Sequence, residues 1–187
     1  VRSNAAGDEI SFQYYDASED EVLQISTTYT FVIDDDDAGD LVYGYELNIG
    51  VGLTIQLDAG WTWISINVEG EDMSPNTVLA NLNPALNDQI KSQEDGFSIY
   101  YGAEYGGWFG DLLEIDPKSM YMISLSNAGT VEYAGIPVNP AAMPIEIDAG
   151  WNWIGYLPQG DLAINDALGT VVAAPFVDQI KSFSEGF

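Results

Sequence analysis

Carboxylates are the most numerous side chains in this sequence that could do chemistry. The 187 residues include 30 Asp and Glu but only 4 Lys and Arg, which gives a formal net charge of −26. Carboxylate oxygens bind calcium, and a suitably spaced pair can hydrolyse a glycosidic bond. The densest acidic run supplies four candidate calcium ligands, Asp34, Asp36, Asp37 and Asp40. The run departs from the calcium-loop pattern, because Ala38 stands at the fifth position and Tyr45 at the twelfth, so a solvated acidic turn is the alternative.

Catalysis has little support in the composition. The sequence contains no His, the commonest general base, and no Cys, so a thiolate nucleophile is excluded. Among 30 acidic residues, some pair reaches a glycosidase-like spacing by chance, and nothing singles one pair out. We therefore predict a non-catalytic protein without catalytic residues, in which calcium is the one candidate cofactor.

A cluster of aromatic side chains is the second group that could form a binding site. It is crowded with Gly and consists of Tyr100, Tyr101, Tyr105, Trp108 and Phe109, of which the first four are the candidate ligand-binding rings. Amphipathic rings of this kind stack on sugar rings, so polysaccharide is a candidate ligand. The alternative is that these rings belong to the hydrophobic core of a small module.

The charge also restricts the partners. With so few basic residues there is nothing to neutralise phosphates, so we expect no nucleic acid partner, and anionic membrane surfaces are disfavoured. No apolar run reaches the length of about 18 residues that a membrane span needs, so we expect no membrane insertion. The acidic surface instead suits a soluble, self-repelling protein or one that collects divalent cations.

An internal repeat organises the chain. The stretches 55–64 and 88–92 return 90 residues later, and 15 of the 43 positions paired between 55–97 and 145–187 are identical. We interpret the repeated Trp and Lys residues as structural anchors: Trp61, Trp63 and Lys91 in the first copy, Trp151, Trp153 and Lys181 in the second. Trp61 and Trp63 are expected in the core, since a small module needs a large buried area. Each Lys is expected to form an ion pair or to bond loop carbonyls while its stem packs on a strand.

The repeat divides the chain into three regions. Residues 54–144 are interpreted as one complete repeat and residues 145–187 as the first half of a second repeat. Residues 1–53 form a partial β module, which is either the second half of a preceding repeat or the end of a different domain. The first interpretation rests on six residues that are each identical to the residue 90 positions later in the chain: Leu23, Ile25, Ile33, Ala38, Gly39 and Tyr43.

The pattern of apolar, β-branched and aromatic residues predicts an all-β fold of tandem small sandwich or barrel-like modules, with one short helix per repeat of roughly 90 residues. The helix is predicted over 74–82, because Ser74 can cap it and Pro75 suits its first position, with an equivalent at 165–172. The strand 61–68 is expected to be central, since both its faces are partly apolar. Strands are predicted at 10–15, 21–25, 28–33, 41–47, 53–57, 61–68, 88–92, 97–101, 112–115 and 120–125.

The motifs Ala-Gly-Trp-Asn-Trp-Ile at 149–154, Gly-Trp-Phe-Gly at 107–110 and Tyr-Met-Ile at 121–123 resemble tandem β-repeats of large secreted bacterial surface proteins. The resemblance implies an extracellular or cell-surface location and a structural or adhesive role, with other copies or neighbouring modules as partners. Two alternatives remain open. One is a filament subunit whose terminal half-modules complement each other's strands, and the other is a carbohydrate-binding module that uses the loop aromatics.

Overall fold

The computed structural model describes residues 6–17, 21–30, 50–171 and 178–183. The predicted calcium ligands Asp34, Asp36, Asp37 and Asp40 and the predicted strand 41–47 therefore lie outside the described residues.

An antiparallel hairpin occupies the first described part of the chain. Strands β1 (Glu9–Asp16) and β2 (Glu21–Thr30) form a two-stranded sheet of their own. The sequence predicted two short strands in place of β2, at 21–25 and 28–33. The chain instead continues as one strand, and a register shift between Ile10 and Phe12 of β1 absorbs the irregular pairing.

The region that we interpret as the complete repeat, residues 54–144, forms two antiparallel sheets together with the three residues before it. In the three-stranded sheet the order is β3 (Val51–Leu57), β10 (Gly129–Pro137) and β5 (Val68–Glu69). The five-stranded sheet runs in the order β4 (Gly60–Ile64), β9 (Tyr121–Leu125), β6 (Gln89–Lys91), β7 (Phe97–Tyr100) and β8 (Trp108–Gly110). A short 3-10 helix, Ala103–Tyr105, connects β7 to β8.

The two sheets share one hydrophobic core, which confirms the all-β prediction. Leu57 of β3 and Val131 of β10 lie in the same buried cluster as Ile90 of β6 and Ile123 of β9. Burying a side chain of this size contributes about 1.5–3 kcal/mol. Because the sheets face each other across this core, the complete repeat has the sandwich form of the predicted fold.

The helix α1 (Pro75–Val78) begins where its cap was predicted. The Ser74 side chain accepts a hydrogen bond from the Thr77 amide, and Pro75 occupies the first turn. Val78, Leu79 and the following Leu82 are buried in the core.

The segment 61–68 was predicted as one central strand, and that prediction is wrong. The strand β4 ends at Ile64 and lies at the edge of its sheet, and the chain then passes to β5 in the other sheet. Ile64, Ile66 and Val68 all face the core along this path, so the alternation continues although the hydrogen-bonding partner changes. The predicted strand at 112–115 is also absent from the described structure, although Leu112 and Ile115 are buried.

The second copy of the repeat has much less regular structure. Residues 145–171 contain the helix α2 (Ile164–Ala167) and an isolated bridge between Ser119 and Ile154. Within the described ranges, no helix has the length and apolar character needed to cross a bilayer.

Candidate functional site

The repeated tryptophans lie on the outer face of the five-stranded sheet. Ile64 of β4 points into the core, so Trp61 and Trp63 point away from it, and Trp61 is 39% exposed. The expectation that these two residues belong to the core is therefore wrong. On the neighbouring strand β9, Trp61 is paired with Ser124 and Trp63 with Met122.

The repeated lysines cover these two rings. The Lys91 Nζ lies 4.6 Å from the centre of the Trp61 ring, and the Lys181 Nζ lies 5.8 Å from that of Trp63. Each such cation–π contact contributes about 0.5–1 kcal/mol at an exposed site. The first contact is made within one repeat, whereas the second joins the two copies.

The predicted aromatic cluster separates into a buried and an exposed pair. Trp108 is only 5% exposed, packs against Tyr100 at 5.5 Å, and is fixed by Asn76, which donates to its carbonyl and accepts from its amide. Trp108 and the half-buried Tyr100 are therefore part of the packing and do not present free ring faces. Tyr101 and Tyr105 are exposed, as expected for ligand-binding rings.

Phe109 is a third exposed ring, which the sequence analysis placed in the aromatic cluster but not among the ligand-binding candidates. It lines a shallow concavity with Tyr101, Tyr105 and Gly110. Its exposure could have been predicted from the alternation of side chains along strand β8, because Phe109 and the neighbouring Trp108 point to opposite faces and Trp108 is buried. The loop before β8 turns through Gly106 and Gly107, whose φ angles of 91° and 82° favour glycine.

Asp88 is a buried polar anchor that the sequence analysis did not single out. Its Oδ1 accepts hydrogen bonds from the Ser126 amide at 2.8 Å and the Ser126 hydroxyl at 2.7 Å, and its Oδ2 accepts one from the Ala85 amide. The carboxylate thus ties the start of β6 to the turn between β9 and β10. The recurrence of Asp88 in the repeated Asp-Gln-Ile-Lys-Ser motif is the sequence feature from which a structural role could have been predicted.

A network of hydrogen bonds joins the second copy to the complete repeat. The Gln93 side chain donates to the Trp151 carbonyl at 2.7 Å and accepts from the Trp153 amide at 2.6 Å. Beside it, the Met120 amide donates to the Trp153 carbonyl, and the Gly155 amide donates to the Lys118 carbonyl at 2.8 Å. A side chain at Gly155 would collide with the Pro117 carbonyl, so only glycine allows this approach.

Asn67 makes two further hydrogen bonds between the complete repeat and the second copy. Its side-chain amide donates to the Pro158 carbonyl at 2.8 Å, and its backbone carbonyl accepts from the Gln159 side chain at 2.8 Å. The rings of Trp63 and Phe183 meet at 5.8 Å. We call the contacts made by Gln93, Asn67, Trp63 and residues 117–120 with the second copy the repeat junction.

The second copy exposes positions that the complete repeat buries. Ile180 is 44% exposed, whereas its equivalent Ile90 is fully buried, and Ile147 is 48% exposed, whereas Leu57 is 3% exposed. The residue Asp178 is likewise exposed, in contrast to the buried Asp88. The same sequence motif therefore has two environments in one chain.

Within the part of the chain that the structure describes, no three acidic side chains are grouped closely enough to hold a metal ion. The candidate surfaces are thus the three exposed rings, the repeat junction and the exposed apolar positions of the second copy. Comparison of this chain with family models, with curated proteins and with solved structures found no significant match.

Proposed function

We propose that this chain is a non-catalytic structural and adhesive module of an extracellular repeat protein on a bacterial surface. The observation that carries the proposal is the repeat junction, in which consecutive repeats are joined by hydrogen bonds from Gln93 and Asn67 and by a short backbone pairing. Repeats that contact only their sequence neighbours form extended, quasi-linear arrays. A linked array of this kind suits a mechanical role better than a catalytic one.

The surface charge supports the same proposal. A formal net charge of −26 keeps neighbouring modules from associating without specificity, and it supports solubility outside the cell. The resemblance of the motifs at 107–110 and 149–154 to repeats of secreted surface proteins points in the same direction.

An antibody raised against the purified chain tests the location. It is expected to label intact cells of the organism that carries this sequence as strongly as permeabilised cells, because a surface module is accessible from outside. Labelling that appears only after permeabilisation would contradict the proposal. An antibody against a cytoplasmic protein of the same cells is the matched control.

Carbohydrate binding is a second candidate function, favoured by the three exposed rings of Tyr101, Tyr105 and Phe109 around one concavity. Exposed aromatic faces are suited to the apolar faces of sugar rings. Retention of the wild-type chain on insoluble polysaccharides, lost in Tyr105→Ala and kept in Leu113→Ala, would support it. Leu113 is the matched control because it is exposed and does not line the concavity. Equal retention of both variants would contradict a role of these rings.

A further inference from the structure

The outer face of the five-stranded sheet carries a line of side chains that crosses all five strands. Trp61 of β4 pairs with Ser124 of β9, which in turn pairs with Gln89 of β6. Gln89 pairs with Ile99 of β7, and Ile99 pairs with Phe109 of β8. Residues directly opposite each other on antiparallel strands lie on the same face of the sheet. These five residues therefore form one continuous line, which we call the sheet row.

The sheet row points away from the core. Its neighbours along the strands are buried, namely Ile90, Ser98, Trp108 and Ile123. Successive side chains of a strand point to opposite faces, so the row itself faces outward. Trp61 and Phe109 are both exposed, which leaves an aromatic ring accessible at each end. Neighbouring strands lie about 4.8 Å apart, so the row spans roughly 19 Å from β4 to β8.

The charge of this face differs from that of the rest of the chain. The five strands contain no Asp or Glu, although the sequence has 30, and Lys91 is their one charged residue. The Lys91 Nζ lies 4.6 Å from the centre of the Trp61 ring and places an ammonium donor at that end of the row. In the middle, the partly exposed Ser124 and Gln89 carry a hydroxyl and an amide, which both donate and accept hydrogen bonds. The row thus combines aromatic ends with an uncharged polar middle.

The width and the charge of the row restrict what can lie on it. Beside it on β4, Trp63 contacts Phe183 and Lys181, so the second copy of the repeat borders the row there. A stable protein–protein interface takes about 20–30 residues on each side, many more than the five of the row. A polyanion is repelled by the formal net charge of −26. A neutral polymer that is one chain wide, with apolar ring faces and hydroxyl groups, meets all three restrictions.

We propose that a single chain of a neutral polysaccharide lies along the sheet row. Its sugar rings stack on Trp61 and Phe109, and its hydroxyl groups exchange hydrogen bonds with Gln89 and Ser124. The inference rests on carbohydrate binding as a function of this chain and deepens it, because it names the class of polysaccharide and adds a contact at Trp61, four strands away from Phe109.

The concavity next to β8 continues the same line. Phe109 belongs both to the sheet row and to the concavity that Tyr101 and Tyr105 line. A short ligand reaches the concavity alone, whereas a ligand that also reaches Trp61 must span roughly 19 Å. Two contacts made by one ligand reinforce each other, so affinity is expected to rise steeply with the length of the sugar chain.

Three variants test the end and the middle of the sheet row. Trp61→Ala removes the ring at the β4 end, Trp61→Tyr keeps a ring there, and Gln89→Ala removes the central amide while both rings stay in place. Tyr14→Ala is the matched control, because Tyr14 is an exposed ring of the separate two-stranded sheet. Circular dichroism of each variant checks that its fold is kept.

Retention on insoluble cellulose and chitin identifies a neutral polymer that binds, with polygalacturonate as the acidic comparison. Calorimetry with the disaccharide and the hexasaccharide of that polymer then measures affinity. Trp61→Ala is expected to weaken hexasaccharide binding roughly tenfold, as the loss of one ring contact does, and to leave disaccharide binding unchanged. Gln89→Ala is expected to weaken hexasaccharide binding several-fold, while Trp61→Tyr and Tyr14→Ala bind as the wild type does.

Hexasaccharide binding that is equal in the wild type, Trp61→Ala and Gln89→Ala would overturn the inference, as would stronger binding to polygalacturonate than to either neutral polymer. If Tyr105→Ala then still loses retention, carbohydrate binding at the concavity stands and only the sheet row is excluded. A wild-type chain that neither cellulose nor chitin retains would overturn the inference together with the carbohydrate function. The role as a surface module is tested separately by the labelling of intact cells.

Discussion

The two copies of the Asp-Gln-Ile-Lys-Ser motif show how far an identical residue depends on its surroundings. In the first copy Asp88 is buried and accepts three hydrogen bonds, whereas Asp178 of the second copy is on the surface. The repeat identified both residues as equivalent from sequence, but it could not reveal the role of Asp88. That role depends on Ser126, which is 38 residues away in the chain.

The buried position of Asp88 allows a direct test. Asp88→Asn is expected to lower the free energy of unfolding by about 2–3 kcal/mol, because hydrogen bonds to a charged group are stronger and one amide hydrogen of Asn would face a donor. Asp161→Asn, at an exposed aspartate of the second copy, is expected to change it by less than about 0.5 kcal/mol, as surface substitutions usually do. Urea unfolding followed by tryptophan fluorescence measures both. Equal effects of the two substitutions would show that Asp88 does not act as a buried anchor.

Tyr121 gives the folded chain a sensitivity to alkaline pH. Burial, the largest cause, and the nearby charge of Asp116 raise the pKa of its hydroxyl above 10.0, although the hydrogen bond from the Asp116 amide opposes the shift. Because the folded state prefers the neutral hydroxyl, this stability is fully present below pH 10 and is lost as the pH rises through the higher pKa of the folded state.

Tyr121→Phe is therefore expected to flatten the fall in stability as the pH rises above 10.0, while it lowers stability at pH 7 by about 1 kcal/mol through the lost hydrogen bond. Part of the alkaline loss remains in the variant, because burial also raises the pKa of Tyr133. Urea midpoints measured across this range give the comparison, with Tyr105→Phe at an exposed ring as control. A slope identical to that of the wild type would rule out Tyr121 as the source.

At the scale of elements, the local sequence pattern was sufficient to predict those strands and helices whose structure depends mainly on their own residues. The strands β3, β6, β7 and β9 were predicted close to their observed bounds. The start and cap of helix α1 were also predicted, but the helix ends at Val78 and not at residue 82. Strand β10 was missed, because Gly129, Gly135 and Pro137 weaken its local strand pattern and its pairing with β3 stabilises it instead. The passage of the chain from β4 to β5 also depends on partners remote in sequence, so periodicity alone predicted one strand.

The repeat junction makes a prediction about the elements it joins. Gln93→Ala removes both hydrogen bonds to the backbone of residues 151 and 153, each worth about 0.5–1.5 kcal/mol. In single-molecule pulling of the full chain, the second copy is expected to detach at a lower force in this variant than in the wild type. Gln13→Ala, at an exposed glutamine of β1, is the control and should detach as the wild type does. An unchanged force in Gln93→Ala would mean that Gln93 does not hold the junction.

At the scale of the whole molecule, the repeat predicted which residues of the two copies are equivalent, but not which of them are buried. Trp61 and Trp63 were expected in the core, yet their strand is at a sheet edge and lysines from both copies cover them. Of the four predicted ligand-binding rings, Trp108 is buried and Tyr100 is half-buried against it, whereas Phe109, which was not among the four, is exposed. Alternation along a strand separates its two faces, but which face is buried depends on how the two sheets and the two copies meet.

Amide hydrogen exchange of the full chain, followed residue by residue by NMR, tests the account most directly, because the proposed array depends on the repeat junction. The amides of Met120, Trp153 and Gly155 donate across the junction and are expected to exchange slowly, as the core strand β9 does. Exchange of Trp153 and Gly155 at the rates of an unstructured peptide, while Ile123 stays protected, would contradict the account. The two copies would then not be joined in solution, and the chain would not be a linked structural module.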